Sequence, residues 1–395
     1  MGACARAPSG SAWPAASALS RSCHGLTGAG RRVSAVVAPD PRVYALLDMD
    51  AFYVGVEQQR RPELRGLPVV VAGSGPRAVV TTASYEARRF GVFSATPAER
   101  ARRLCPDAVF VRPDFDHYRA RSREVMDVLH AHADAVEVVG LDEAYLDLST
   151  LERPRAAARR IQAAVLAATG LGCSIGLGPS KLVAKIASDA DKPNGFLTLT
   201  CDEARRRFAG SSPGLIPGIG PKTVERLSTH GIRTLGELAS VPEERLAARL
   251  GSRLGPQLAR LARFEDARSL EYRRVRKSES RETTFDRDLR GLAALEPVLV
   301  RLAGELCAAL ERRRRKGRTI GIKVRLDDFS THTRARTLPS ATNAEAEVTG
   351  IAVELLRAFD PPRPVRLLGV RVAGLDIPAG EERRGSAGQL ALELV

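Results

Sequence analysis

The sequence is short of lysine, of paired cysteines, of long apolar runs and, at its start, of acid. Only 7 of its 61 basic residues are Lys. An Ala-rich composition makes codon bias a sufficient cause, so the total charge says more than the Arg share. Six cysteines (Cys4, Cys23, Cys105, Cys173, Cys201 and Cys307) include no C-x-x-C pair, which indicates neither a zinc site nor a disulfide framework. His130 and His132 are two apart, a poor spacing for two ligands on one helix face. No apolar run approaches the roughly 20 residues that span a bilayer, so no membrane partner is expected. No acidic residue precedes Asp40. Residues 1–41 lack periodicity and read as a disordered arm or a start codon assigned too far upstream, although Arg and Ser without acid imitate a transit peptide.

What is present points to a polyanion. The 395 residues carry a net charge of +15, and nucleic acid is the commonest partner for such a surface. A chain this long exceeds one hydrophobic core, so two to four domains are expected. From residue 43 onward short apolar strands alternate with helices: strands over 43–47, 67–72, 78–83, 108–112, 135–139, 145–148, 172–177 and 195–199, and long helices over 117–131, 154–169 and 181–190. This is an α+β pattern. Residues 202–268 read as all-helical, and 269–277 as a basic connector. A β-α-β-β-α-β order follows, with strands over 278–285, 319–326, 331–338 and 365–372 and helices over 292–315 and 344–359, a split βαβ arrangement.

Two acidic motifs stand in apolar flanks: Asp48 and Asp50 in Leu47-Asp-Met-Asp-Ala51, and Asp142 and Glu143 in Gly140-Leu-Asp-Glu-Ala144. Carboxylates at the end of an apolar strand are costly to desolvate unless something positive joins them. Brought together, the two motifs would suit hard divalent cations and in-line nucleotidyl transfer. Asp48 and Asp50 share one side of a continuous strand, whereas Asp142 and Glu143 converge only at a turn or bulge. Surface turn carboxylates are the alternative for either pair alone.

Pro217-Gly-Ile-Gly-Pro-Lys222 has the form of a helix-hairpin-helix, in which Gly218 and Gly220 let backbone N–H groups approach a phosphate and Lys222 adds charge. Basic residues cluster at Arg273, Arg274, Arg276, Lys277 and Arg281, where strand-borne bases on one face would track a duplex backbone. The run 312–316 suits a helix C-terminus. Gln389-Leu-Ala-Leu-Glu-Leu394 is a short amphipathic peptide of the kind that docks into partner grooves, with apolar residues of no consequence at a terminus as the equal alternative.

Together these motifs resemble the Y-family, translesion DNA polymerases, most closely the DinB-type polymerase IV branch, in order over residues 42–375. The resemblance also rests on Tyr85-Glu-Ala-Arg88, Lys181-Leu-Val-Ala-Lys-Ile-Ala187 and Asp191-Lys-Pro-Asn-Gly195. It implies a right hand: palm (42–51 and 114–200), fingers (52–113), thumb (201–268), basic linker (269–277), little finger (278–376) and a tail (377–395). It implies that Asp48, Asp142, Glu143 and the Met49 carbonyl hold two Mg²⁺, with Asp50 supporting the strand end. Tyr53 matches the steric gate against ribose. Phe52, Tyr53, Tyr85, Arg88 and Lys192 match the nucleotide site. Gly218, Gly220, Lys222, Arg276, Lys277 and Arg281 would hold DNA. Gln389, Leu392 and Leu394 would bind a sliding clamp. Gly140, Gly178, Ser180, Phe93 and Thr96 depart from the family's usual residues without removing a metal ligand.

The expected activity is therefore template-directed, error-prone synthesis past damaged template from dNTPs, without proofreading, by a cytoplasmic monomer. A non-catalytic adaptor for DNA and clamp is the alternative. A nuclease or glycosylase using the hairpin is a further rival.

Overall fold

A computed structural model describes residues 42–272 and 275–376. The N-terminal arm and the tail peptide containing Gln389, Leu392 and Leu394 lie outside the described residues. The described residues open with β1 (Tyr44–Met49), α1 (Phe52–Arg60), β2 (Val69–Ala72), β3 (Val80–Ala83), α2 (Tyr85–Arg88), α3 (Ala98–Leu104), β4 (Val109–Val111) and α4 (Phe115–His132). Next come β5 (Val136–Val138), β6 (Glu143–Asp147), α5 (Pro154–Thr169), β7 (Cys173–Gly178), α6 (Lys181–Ala190) and β8 (Phe196–Thr198).

The first sheet runs β5-β6-β1-β7-β8. All of β1 is buried, as its near-continuous apolar sequence requires of a central strand. Its alternate residues divide the molecule. Ala45, Leu47 and Met49 enter the large core with Tyr118, Val125, Ile161 and Val165 from α4 and α5. Tyr44 and Leu46 face the other way, onto Ala184 of α6. Asp48 continues that second set and so points toward α6. A smaller sheet, β3-β2-β4, has its own core of Val70, Val80, Ala87, Ala98 and Ala101.

Helices α7 (Cys201–Phe208), α8 (Pro221–Ser228), α9 (Leu235–Ser240), α10 (Glu243–Leu250) and α11 (Leu254–Ala262) follow. Capping boxes at Thr200/Glu203 and Thr234/Glu237 start α7 and α9. Leucines of α8 to α11 and Ala204 of α7 join Leu182 and Ile186 of α6 in one core. Past these helices Leu270 inserts among Tyr44, Leu46, Tyr145 and Ala184, and the Glu271 N–H donates to Glu137 at 2.8 Å. Burying that leucine is worth about 2 kcal/mol.

The last unit is β9 (Ser278–Leu289), α12 (Leu292–Arg312), β10 (Gly317–Leu326), β11 (Thr331–Thr342), α13 (Glu345–Phe359) and β12 (Val365–Leu375). Its antiparallel sheet runs β11-β10-β12-β9, so each crossover skips one strand, the split arrangement the sequence pattern predicts. Ile320, Ile322, Val324, Val370 and Val372 bury one face with leucines of α12 and α13. The opposite face is built of cross-strand rows such as Thr337–Thr319–Ala373–Ser278 and Thr333–Lys323–Gly369–Glu282.

Candidate active site

The acidic motifs meet because β1 and β6 are neighbours. Asp48 and Glu143 are cross-strand partners, and the Met49 N–H donates to the Asp142 carbonyl at 2.9 Å. Glu143 opens β6, while Asp142 lies in the turn before it. The N–H groups of Val139 and Gly140 both reach the Glu143 carbonyl, at 2.9 and 3.2 Å. This bulge-like closure lets adjacent acids serve one site. Asp48 is 7% exposed.

Two lysines balance part of this charge. The Lys185 ammonium lies 2.7 Å from Asp48 and 3.1 Å from Glu143, and that of Lys192 lies 2.5 Å from Asp48. Both also approach Asp189, at 3.4 and 3.5 Å. Burial, and then Asp48, push the Asp142 carboxyl above the ordinary carboxylate range. Burial pushes Glu143 up as well, against the pull of Lys185. For Lys185 burial opposes the charge, but Asp48 and Glu143 outweigh it and hold the ammonium well above ordinary lysine. Among the described residues no group of three His, Cys, Asp or Glu side chains is arranged as a ready-made metal site. The donor chemistry is nonetheless that of a hard cation, since every anionic donor is a carboxylate oxygen.

Asp50 takes a different part from Asp48. The strand ends at Met49, and Ala51 turns left-handed at φ 45°. The shared-side geometry of an unbroken strand is therefore lost. Asp50 instead accepts from Ser174 Oγ at 2.9 Å, the Asn194 N–H at 2.7 Å and the Tyr85 hydroxyl at 3.3 Å, fastening β7 and α2 to the turn.

The N-terminus of α1 has no side-chain cap and no acid in its first turn, so the N–H groups of Phe52, Tyr53 and Val54 lack helical partners. They open beside a cavity of about 290 Å³ lined by Asp50, Ala51, Phe52, Tyr85 and Asn194. Arg88 stacks over the Tyr85 ring at 4.5 Å and donates to the Ala83 carbonyl at 3.0 Å. Tyr53 stacks on Tyr118, with ring centroids 4.5 Å apart. Burial and the nearby Asp142 push its hydroxyl up to about 12.

The helix-hairpin-helix glycines sit at the entry to α8. Gly218 has φ 94°, Gly220 is the N-cap, and a Cβ at either would meet no atom within 4 Å. Lys222 is exposed, as is Lys277. Arg276 lies 3.4 Å from Glu279. Arg281 corrects the expectation of a basic face on β9. Its cross-strand partner is Val370, so it shares the helix-covered side, where it is 3.7 Å from the buried Glu279. The strand's open-side residues include Ser278, Ser280 and Glu282. Cations on the open face come from β10 and β12 instead: Lys323, Arg325 and Arg371.

Sequence reasoning missed Lys185, although the helix bearing it was foreseen. Its signal was scarcity: three of the chain's 7 lysines fall within residues 181–192. Glu57 and Tyr118 were missed too, and nothing in local spacing links them.

A palm-like sheet bearing paired acids, a hairpin-bearing helical unit and a split βαβ unit define a nucleotidyl-transferring, DNA-handling protein. Comparison with known proteins gives the family. Residues 47–189 match the impB/mucB/samB family, residues 276–392 its C-terminal domain, and residues 214–266 the DNA polymerase-iota thumb domain. The chain is 42% identical over 342 residues to DNA polymerase IV of Methanoculleus marisnigri, covering 85% of this chain and 95% of that one. It is 43% identical over 354 residues to DNA polymerase IV of Alkalilimnicola ehrlichii, covering 88% and 98%. A solved Y-family DNA polymerase chimera superposes with a TM-score of 0.76 at 28% identity, covering 85% of this chain and 99% of the chimera. The chain belongs to the Y-family DNA polymerases, in the DNA polymerase IV group, whose members are error-prone, translesion DNA-directed polymerases.

Proposed function

We propose that this polymerase joins dNTPs to a primer at Asp48, Asp142 and Glu143. The observation that carries the assignment is a buried Asp48 facing two ammonium groups, with Glu143 opposite it in register. These carboxylates and the Met49 carbonyl would hold two Mg²⁺, which when bound supply Lewis acidity toward the primer hydroxyl and the α-phosphate. The uncapped start of α1, with Tyr85, Arg88 and Lys192, binds the β- and γ-phosphates. Lys192 is within reach of both roles, neutralising Asp48 in the free chain and phosphate in the loaded one. Tyr53 stands at the sugar and excludes ribose. The hairpin glycines and Lys222 hold backbone phosphate without reading sequence, and Lys277 with the open face of the last sheet extends that track. The first sheet with α4 to α6 acts as palm, and the β3-β2-β4 unit as fingers.

Primer extension by the native chain beside Asp142→Ala tests the assignment. Loss of more than about a hundredfold in rate is expected when a transition-state charge stabiliser is removed; equal rates exclude the site. We further infer that the polymerase acts as a monomer whose tail, through Gln389, Leu392 and Leu394, engages a sliding clamp. Deleting residues 389–395 should remove stimulation by a loaded clamp while unassisted synthesis continues.

A further inference from the structure

Glu57 is a carboxylate buried in the middle of α1, 1% exposed. An acid in an apolar interior costs several kcal/mol unless hydrogen bonds and counter-charges repay it. Here Arg61 lies 2.6 Å away, Arg60 lies 3.6 Å away, and the Tyr118 hydroxyl donates to Glu57 at 2.7 Å. Of these partners the two arginines are partly exposed and Tyr118 is fully buried, so the carboxylate's grip inside the core falls on Tyr118.

What it holds is Tyr118, and Tyr118 holds Tyr53. Residues 53 and 57 are four apart, one above the other on the same side of α1. Tyr118, fully buried on α4, spans both: its ring lies against Tyr53 at 4.5 Å and 23°, and its hydroxyl reaches Glu57. Phe115 closes the cluster edge-on, 6.0 Å from Tyr53 and 5.9 Å from Tyr118. A side chain that excludes a 2′-hydroxyl must not yield when the hydroxyl presses on it. A close-packed, hydrogen-bonded backing turns that pressure into rejection rather than accommodation.

We propose that Glu57 and Tyr118 are positioning residues for sugar selection, with Glu57 fixing the Tyr118 ring and that ring bracing Tyr53. The proposal rests on the reading of Tyr53 as the residue that meets the sugar.

The test is single-nucleotide incorporation of matched dNTP and rNTP by the full chain, with kcat and KM determined separately. Tyr118→Phe and Glu57→Leu should each raise relative rNTP incorporation (kcat/KM) about three- to tenfold, the size of one lost buried hydrogen bond, while dNTP kcat changes little. Glu57→Gln keeps an acceptor oxygen and should recover most of the native ratio. The Tyr118→Phe/Glu57→Leu double variant should exceed the larger single effect by little, because both remove one bond. Simple destabilisation would lower both substrates together and leave the ratio native, which overturns the proposal. If Tyr53→Ala admits rNTP but Tyr118→Phe and Glu57→Leu do not, the brace is wrong and the gate stands. If Tyr53→Ala itself keeps the native ratio, the gate reading fails and the brace with it. Should Glu57→Leu not fold, Tyr118→Phe, which deletes one oxygen, decides alone.

Discussion

Two buried acid sites lie along α1, one beyond its N-terminus and one at Glu57 within it, and they differ in their balance. At the site beyond the N-terminus, Asp48, Asp142, Glu143 and Asp189 share two ammonium groups, those of Lys185 and Lys192. At the other, Glu57 has Arg61 and the Tyr118 hydroxyl and shares Arg60 with Asp114, which takes a bond from that guanidinium at 3.0 Å. The first site is left short of positive charge and the second is not. A deficit is a demand for a cation from outside, whereas a satisfied carboxylate fixes its neighbours and asks for nothing. The contrast separates chemistry from positioning within one helix length.

The largest expected effect breaks the comparison at its catalytic end. Asp142→Asn should abolish extension yet leave the metal-free protein at least as stable as native. The folded-state pKa of Asp142 is raised, so above that pKa its ionised form weakens the fold, a cost present at neutral pH and relieved as pH falls. Thermal melts at pH 7 and pH 5 check this: the variant's advantage should shrink at the lower pH. A Tm clearly below native at pH 7 would count against the deficit.

Next in size is a matched pair of charge removals. Lys185→Met and Arg61→Met should each destabilise the metal-free chain by about 1–3 kcal/mol, because each takes one counter-charge from a buried carboxylate. Added Mg²⁺ should restore much of the Lys185→Met loss and none of the Arg61→Met loss. Equal recovery, read by denaturant melts with and without the ion, would erase the distinction between the sites. The smallest effect is at the hairpin. Lys222→Ala should weaken duplex binding a fewfold and lower the salt slope by about one, without dependence on DNA sequence.

Much of this was legible from the chain. Helices at Pro154–Thr169 and Lys181–Ala190 run over the residues their patterns gave, since Pro opens one, Gly170 closes it at φ 66°, and Ser180 caps the other. The last strands ran longer than expected. Strand β9 continues to Leu289 through Asp286 and Asp288, charges that a half-paired edge tolerates and that hide it from apolar counting. Within the site, the acids announced themselves because charge in an apolar run is rare. Lys185 did not, because it stands 137 positions from Asp48 and only the packing of α6 on β1 and β7 joins them. The Arg281 error has a similar source: alternation fixes which residues share a side, but not which side the helices cover.

The anchoring of Leu270 sets the reach of the last domain. Leu270 is pinned against Tyr44, Leu46, Tyr145 and Ala184, so the leash to Ser278 starts there and not at the end of α11. Seven residues, 271–277, remain, and fully extended they cover at most about 25 Å. A domain on so short a leash cannot drift away between encounters with a duplex. Its local concentration beside the catalytic sheet stays high, and the 2.6 Å ion pair of Arg77 with Asp288 joins β9 to the segment before β3.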